Sequence, residues 1–151
     1  MSNVVKWDNK IDFNNFINLY NKEHQTALEK LAYVILSDVL LKNPRPPILT
    51  SALWGSGSVF VGNKVVGFGK QISGAAIGTP NTDLSENDEN MVTVGFNIVY
   101  AEKMHENEYK WGRRSIQAGG VGSKWLERKI LGNAPEYLVE YAILLKKGLG
   151  L

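Results

Sequence analysis

The chain contains only two histidines, His24 and His105, and no cysteine. His105 is followed by Glu106, and an imidazole beside a carboxylate is the raw material of acid–base chemistry. Adjacent residues of a helix point in different directions, so this spacing predicts that the pair does not converge on one substrate. It reads instead as a helix end that contacts the next loop or subunit. His24 has no second histidine and no acid pair at ligand spacing, and it reads as a surface or boundary residue. Asp83, Glu86, Asp88 and Glu89 have the composition of a calcium loop. They lack its alternating carboxylates, central glycine and closing glutamate, so a solvated loop is expected. Gly55-Ser56-Gly57 is followed by neither Gly-Lys-Ser/Thr nor a helix start, which a phosphate cradle needs. No Gly-x-Ser-x-Gly elbow occurs. The sequence therefore predicts no catalytic residue, no metal ligand and no cofactor-binding residue, and a chain that is not an enzyme.

A second group of residues has the chemistry of contact. Glu108-Tyr109-Lys110-Trp111-Gly112-Arg113-Arg114 mixes cations with aromatics, a combination that binds phosphates and stacks bases. The same mixture serves a protein surface, with arginine stems lying on apolar neighbours. Seventeen basic against 15 acidic residues leave a net charge of only +2, which favours the protein surface over nucleic acid. Trp7 stands in a polar opening segment, where it anchors a neighbour or frays with its arm. The side chains expected to meet partners are Trp7, Trp54, His105, Glu106, Trp111, Arg113 and Arg114.

The elements that must position these residues follow from periodicity. The chain has 151 residues, 44% hydrophobic and 21% charged. That suits one domain, 1–151, with an ordinary core. No apolar run is long enough to cross a bilayer, no secretory leader is visible, and no membrane partner is expected. Residues 1–10 read as a flexible arm. Asp12 is placed to cap a helix reaching about Leu41, with the polar stretch Asn18–Gln25 as an expected break. Leu28, Leu31, Ile35 and Val39 form one stripe of it. Ala32, Leu36 and Leu40 widen that stripe enough to meet both a sheet and a second element. Pro44, Pro46 and Pro47 stop it. Strands are predicted at Ser58–Gly62, Val65–Ile72 and Met91–Ile98, with Gly62-Asn63 as a tight hairpin turn. Residues 70–90 between the last two are read as a long polar loop.

Within the third strand Val92, Val94, Phe96 and Ile98 share one face and Thr93, Gly95 and Asn97 the other. The period then switches to that of a short helix, with Tyr100, Ala101, Met104 and His105 on one side. Gln117–Gly122 reads as flexible. Ser123 is placed to cap a helix Lys124–Leu131 ended by Gly132. Pro135 suits the first turn of a last helix, Glu136–Lys147. Its stripe is Leu138, Tyr141, Ala142 and Leu145, widened by Val139, Ile143 and Leu144. The fold class expected is α+β: an antiparallel sheet of three to four strands packed by a long N-terminal helix and C-terminal helices.

Three of these stretches together resemble a known family. The strand Val94-Gly95-Phe96-Asn97 runs into a helix with Tyr100-Ala101 and His105-Glu106. Upstream, a helix ends in a proline turn and a Thr/Ser-Leu segment. Here that segment reads Pro46-Pro47-Ile48-Leu49-Thr50, where many relatives read Pro-Val-Asp-Thr-Gly-x-Leu. Downstream stands Gly122-Ser123-Lys124-Trp125-Leu126-Glu127. The order, over roughly Gln25 to Lys147 with the acidic loop outside it, resembles the neck or tail-completion proteins of tailed phages. These are also known as minor capsid or head–tail connector proteins. The resemblance implies a structural virion protein, made in the host cytoplasm and built into the neck or upper tail end. It implies a ring of copies, hexameric or dodecameric, around the DNA channel, with portal, adaptor, stopper or tail proteins as neighbours. DNA would pass without sequence-specific binding, and acids of the 83–89 loop facing a lumen would repel it. No cofactor is implied. The alternatives are a tail-terminator or tail-tube protein, or a small ligand-binding domain or enzyme using the glycine-rich hairpin.

Overall fold

A computed structural model describes residues 13–48, 52–70, 78–84, 88–107 and 110–151, the side chain of Arg114 excepted. Trp7, the Asp12 cap, Glu86 and the arm at 1–10 lie outside the described residues. The elements run α1 Phe13–Leu41, α2 Ala52–Gly55, β1 Gly57–Val61, β2 Lys64–Phe68, β3 Val92–Phe96, α3 Ala101–Glu106, α4 Arg113–Ala118, α5 Trp125–Gly132 and α6 Ala134–Gly148. The architecture is mixed helix and sheet, a long first helix and later helices packed on three antiparallel strands.

The expected break in α1 does not occur. No glycine or proline falls between Asn18 and Gln25, and polar residues without a breaker simply face water along a continuous helix. The wide stripe does divide as its breadth predicts. Leu28, Ala32, Leu36 and Leu40 pack with Val59 and Val61 of the sheet. Leu31, Ile35 and Val39 pack with Trp125 and Tyr137 of the C-terminal helices. Each full burial of such a side chain is worth about 1.5–3 kcal/mol, so this half of α1 is firmly anchored. The Asn43-Pro44 bond is cis.

Strand β1 lies between β2 and β3, antiparallel to both. Gly62-Asn63 makes the predicted turn, Gly62 taking φ +58° between the paired Val61 and Lys64. Val92, Val94 and Phe96 face the core, as their alternation predicts. All five residues of β1 are buried, so both faces of the strand are covered. On the second face, Ser58, Phe60, Thr93 and Gly95 line an open cavity of about 150 Å³ together with Asn81 and Leu84. Asn97 donates from Nδ2 to the Thr79 carbonyl at 3.1 Å. Residues 78–84 hold no helix or strand, and Thr79 and residues 81–83, Asp83 among them, are exposed as a polar loop would be.

The glycine-rich stretch after α4 is also bound down. Arg45 donates its backbone N–H to the Gly120 carbonyl at 2.7 Å, and Gly122 donates to the Arg45 carbonyl at 3.2 Å. The Arg45 guanidinium reaches the carbonyls of Ala118 and Gly119. Gly119 and Gly120 both take positive φ, 66° and 65°, which explains why glycine stands there. The expectation of flexibility at 117–122 fails because the proline segment supplies partners for its backbone.

Candidate functional site

Two of the segments that carry the resemblance meet in space. The last turn of α3 lies against the first turn of α5. The His105 ring stands edge-on to Trp125, centroids 5.3 Å apart. Phe96 meets the same indole edge-on at 4.7 Å. The indole is fully buried, and its N–H donates to the Met104 carbonyl at 3.3 Å. The Lys124 N–H donates to the His105 carbonyl at 2.6 Å, and its ammonium pairs with both Glu106 and Glu127.

These contacts replace the expected cap. Ser123 was placed to cap α5, but the cap position is Lys124, left-handed at φ 54° and without a side-chain cap bond of its own. Instead the Glu127 N–H, in the first turn, donates to Nε2 of His105 at 3.2 Å. A nitrogen that accepts carries no proton, so the proton is on Nδ1, which donates to Glu106 Oε1 at 2.7 Å. His105 and Glu106 bond to each other at the end of α3, where the backbone turns extended at Asn107, and both contact the start of α5, as a helix end meeting the next segment.

The junction holds what acid–base or metal chemistry would need, yet its groups are engaged. Ligand atoms of His105, Glu106 and Glu127 lie within 4.8 Å of one another. The cation they meet is Lys124. Its hydrogen bond, followed by that of His105, holds the Glu106 carboxyl below its ordinary range. The same contact, with Glu127 adding to it, raises the Lys124 ammonium above its own. Both nitrogens of His105 are committed, so the ring is a positioning group.

His24 is likewise enclosed by partners. Asn90 Oδ1, 2.7 Å away, can only accept, so Nε2 of His24 carries the proton. Nδ1 then accepts from the Tyr141 hydroxyl at 2.6 Å. This half-buried residue ties α1, α6 and the 88–90 turn together. It borders an open polar groove of about 800 Å³ whose far wall is the hairpin turn Val61–Lys64. Lys64 there is paired with Glu29 at 2.8 Å.

The remaining predicted contact residues are scattered. Trp54 is corrected from partner-facing to core. It is 4% exposed, and its indole N–H donates to the Pro46 carbonyl at 3.0 Å. Trp111 is half-buried and Arg113 exposed beside α4. Arg113 opens α4 rather than standing in a loop.

Sequence reasoning missed Lys129. It is 2% exposed and donates to the carbonyls of Pro44 and Trp125. Burial pushes its ammonium down to about 8. Its spacing, four residues after Trp125 on the buried side of α5, was the available signal.

The largest uncovered features are apolar. Phe13, Phe16 and Ile17 are 63%, 57% and 50% exposed on α1. They continue, at three- and four-residue steps, the same stripe that is buried from Ala27 onward. On α6 the buried side is Tyr137, Tyr141 and Leu144, whereas Leu138, Val139 and Ile143 are more than half exposed. The expected stripe through Leu138 and Ala142 is therefore turned outward.

Among the described residues no helix is long and apolar enough to cross a membrane. The fold and site define a mixed α+β chain with two uncovered helical faces, and no protein-family model, curated protein or solved structure matches it.

Proposed function

We propose that this chain is a structural subunit of a tailed-phage neck, completing the upper end of the tail or joining it to the head as part of a ring on the DNA channel. The observation that carries the reading is the apolar helix surface left uncovered on α1 and α6. A scaffold subunit needs faces of this kind to hold its neighbours, and closed rings use them. The meeting of the Tyr100–Glu106 and Lys124–Glu127 segments supports the resemblance, because its separated pieces form one structural unit. Its work is adhesion and not turnover, with other neck, portal or tail proteins as neighbours.

The test is a nonsense mutation of the gene in the phage that encodes it. Full heads and finished tails should accumulate unjoined, and purified protein should join them when added back. Normal joined particles would overturn the reading. The polar groove beside the hairpin turn favours the rival reading of a small ligand-binding domain. Saturable binding of a small metabolite, with joining unaffected, would decide for that rival.

A further inference from the structure

We propose that the open edge of β3 takes residues Asn3–Trp7 of a second copy of this chain as a fourth strand. The contact rests on the reading as a self-assembling subunit and names what joins the copies.

The edge is read from the ladder. Asn97 donates its N–H to the Ser56 carbonyl at 3.0 Å, and Gly62 donates to the Met91 carbonyl at 2.9 Å. With Phe96 opposite Gly57 and Val92 opposite Val61, Met91, Thr93, Gly95 and Asn97 turn their backbone groups to β1. Val92, Val94 and Phe96 turn theirs outward, where β3 is the last strand of the sheet. Among the described residues no backbone group pairs with them there. Such a row of N–H and C=O groups, at every second residue, is met in full by another extended chain.

Both sides of this edge have room for the alternate side chains of such a chain. On the second face a Cβ at Gly95 would meet nothing within 4 Å. The cavity there is lined by Ser58, whose hydroxyl is buried without a partner. On the core side Phe96, Ala101, Trp125 and Leu126 line an opening of about 240 Å³ together with Glu102. Glu102 makes no ion pair among the described residues.

The occupant follows from the chain ahead of α1. Residues 1–12 lie outside the described structure, and Asn3-Val4-Val5-Lys6-Trp7 is their strand-forming part, with two β-branched residues and an aromatic. Successive side chains of a strand go to opposite faces. With Trp7 over Gly95, an aromatic covers the bare backbone of an edge glycine. Lys6, the one charge among the five, then falls on the side of Glu102.

Reach selects a second copy. His24 bonds Asn90, two residues before β3, at 2.7 Å, and α1 runs about 16 Å from His24 back to Phe13. The stretch from Trp7 to Phe13 spans at most about 20 Å. On its own chain the segment would spend nearly that whole length doubling back along α1, with Gly95 still five residues beyond Asn90. A neighbour's segment needs no reversal.

Amide hydrogen exchange on the full chain, quenched and read residue by residue, tests this. At a concentration where light scattering shows multimers, the Val92, Val94 and Phe96 amides should exchange at least tenfold more slowly than in dilute monomer. Val5→Pro removes a donor and bars the segment from a ladder, and it should abolish that difference. Thr93 and Gly95, bonded to β1, should stay slow in the variant, which shows that the body is folded. Fast exchange of the three outward amides in multimers would overturn the contact and leave self-assembly standing. Slow exchange that Val5→Pro does not change would do the same. Slow exchange independent of concentration would put the segment on its own chain and overturn the proposal too. A monomer at every concentration, in a protein still required for joining, would overturn both this contact and the ring.

Discussion

Glu127 gives its backbone N–H to Nε2 of His105, 22 residues earlier in the chain, at 3.2 Å. An imidazole from one helix thus does for another what a serine or aspartate usually does at a helix start. The same ring packs edge-on against Trp125, so one side chain fixes both the start of α5 and its buried anchor.

Replacing His105 by Ala should remove both contacts. Loss of a cap costs about 1 kcal/mol, and loss of an aromatic contact about 0.5–1.5 kcal/mol. A drop of about 2 kcal/mol in urea-unfolding stability is expected. His105→Gln retains an acceptor and should recover part of the cap term only. A His105→Ala chain within 0.5 kcal/mol of wild type would show the ring to be a bystander.

The Glu106–Lys124 pair sets an acid limb. Lys124 first, then His105, lowers the Glu106 carboxyl from its ordinary 4.5. Between the unfolded value and the lower folded one, the unfolded chain binds more protons, so stability rises with pH there. The contribution is whole above pH 4.5 and disappears as pH falls through the lowered value. Melting temperature followed from pH 5 to 2 should fall more steeply in wild type than in Glu106→Gln. Parallel curves would mean the pair does not couple to folding.

What the sequence revealed depended on locality. The Val92–Ile98 alternation, the Gly62-Asn63 turn and the breadth of the α1 stripe are properties of a few neighbouring residues, and each is seen in the fold. The orientation of α6 was not legible. Leu138, Val139, Tyr141, Ala142, Ile143, Leu144 and Leu145 surround that helix, and periodicity cannot choose a side when every side is apolar. Only packing of Tyr137 and Tyr141 against α1 selects it. His105 and Glu127 were each noticed, but their contact is made by the fold. Helix α4 was not predicted, because Gly112 and Gly119-Gly120 close on its six residues from both sides.

Lys129 adds a second rise of stability with pH, at the alkaline end. Burial lowers its ammonium to about 8 from 10.5. Between those values the unfolded chain holds the proton and the folded chain has released it, so this group makes stability rise with pH. Lys129→Met should abolish the rise between pH 8 and 10. It should also leave the Pro44 carbonyl without this donor. The measurement stops at pH 10 because burial raises the Tyr137 phenol from 10.0 to about 12, which makes stability fall from there upward. An unchanged slope in Lys129→Met would show that the ammonium is hydrated.

The packing of Gly78 gives a last test, on two glycines. A Cβ at Gly78 would overlap the Ala52 carbonyl oxygen and fall 2.5 Å from the Ser56 amide nitrogen, whereas a Cβ at Gly95 would meet nothing within 4 Å. The obstacle at Gly78 is backbone of α2 and its following turn, which cannot rotate aside like a side chain. Overpacking of this kind costs about 1–3 kcal/mol or more. At Gly95, in the middle of β3, a methyl group removes unfolded-state freedom and should be neutral or stabilising by up to about 1 kcal/mol. Gly78→Ala should therefore lower the unfolding midpoint clearly while Gly95→Ala leaves it or raises it. The contrast is informative because both positions receive the same atom and only Gly78 faces backbone. Equal effects would mean that Gly78 does not lie against α2 and its following turn in solution.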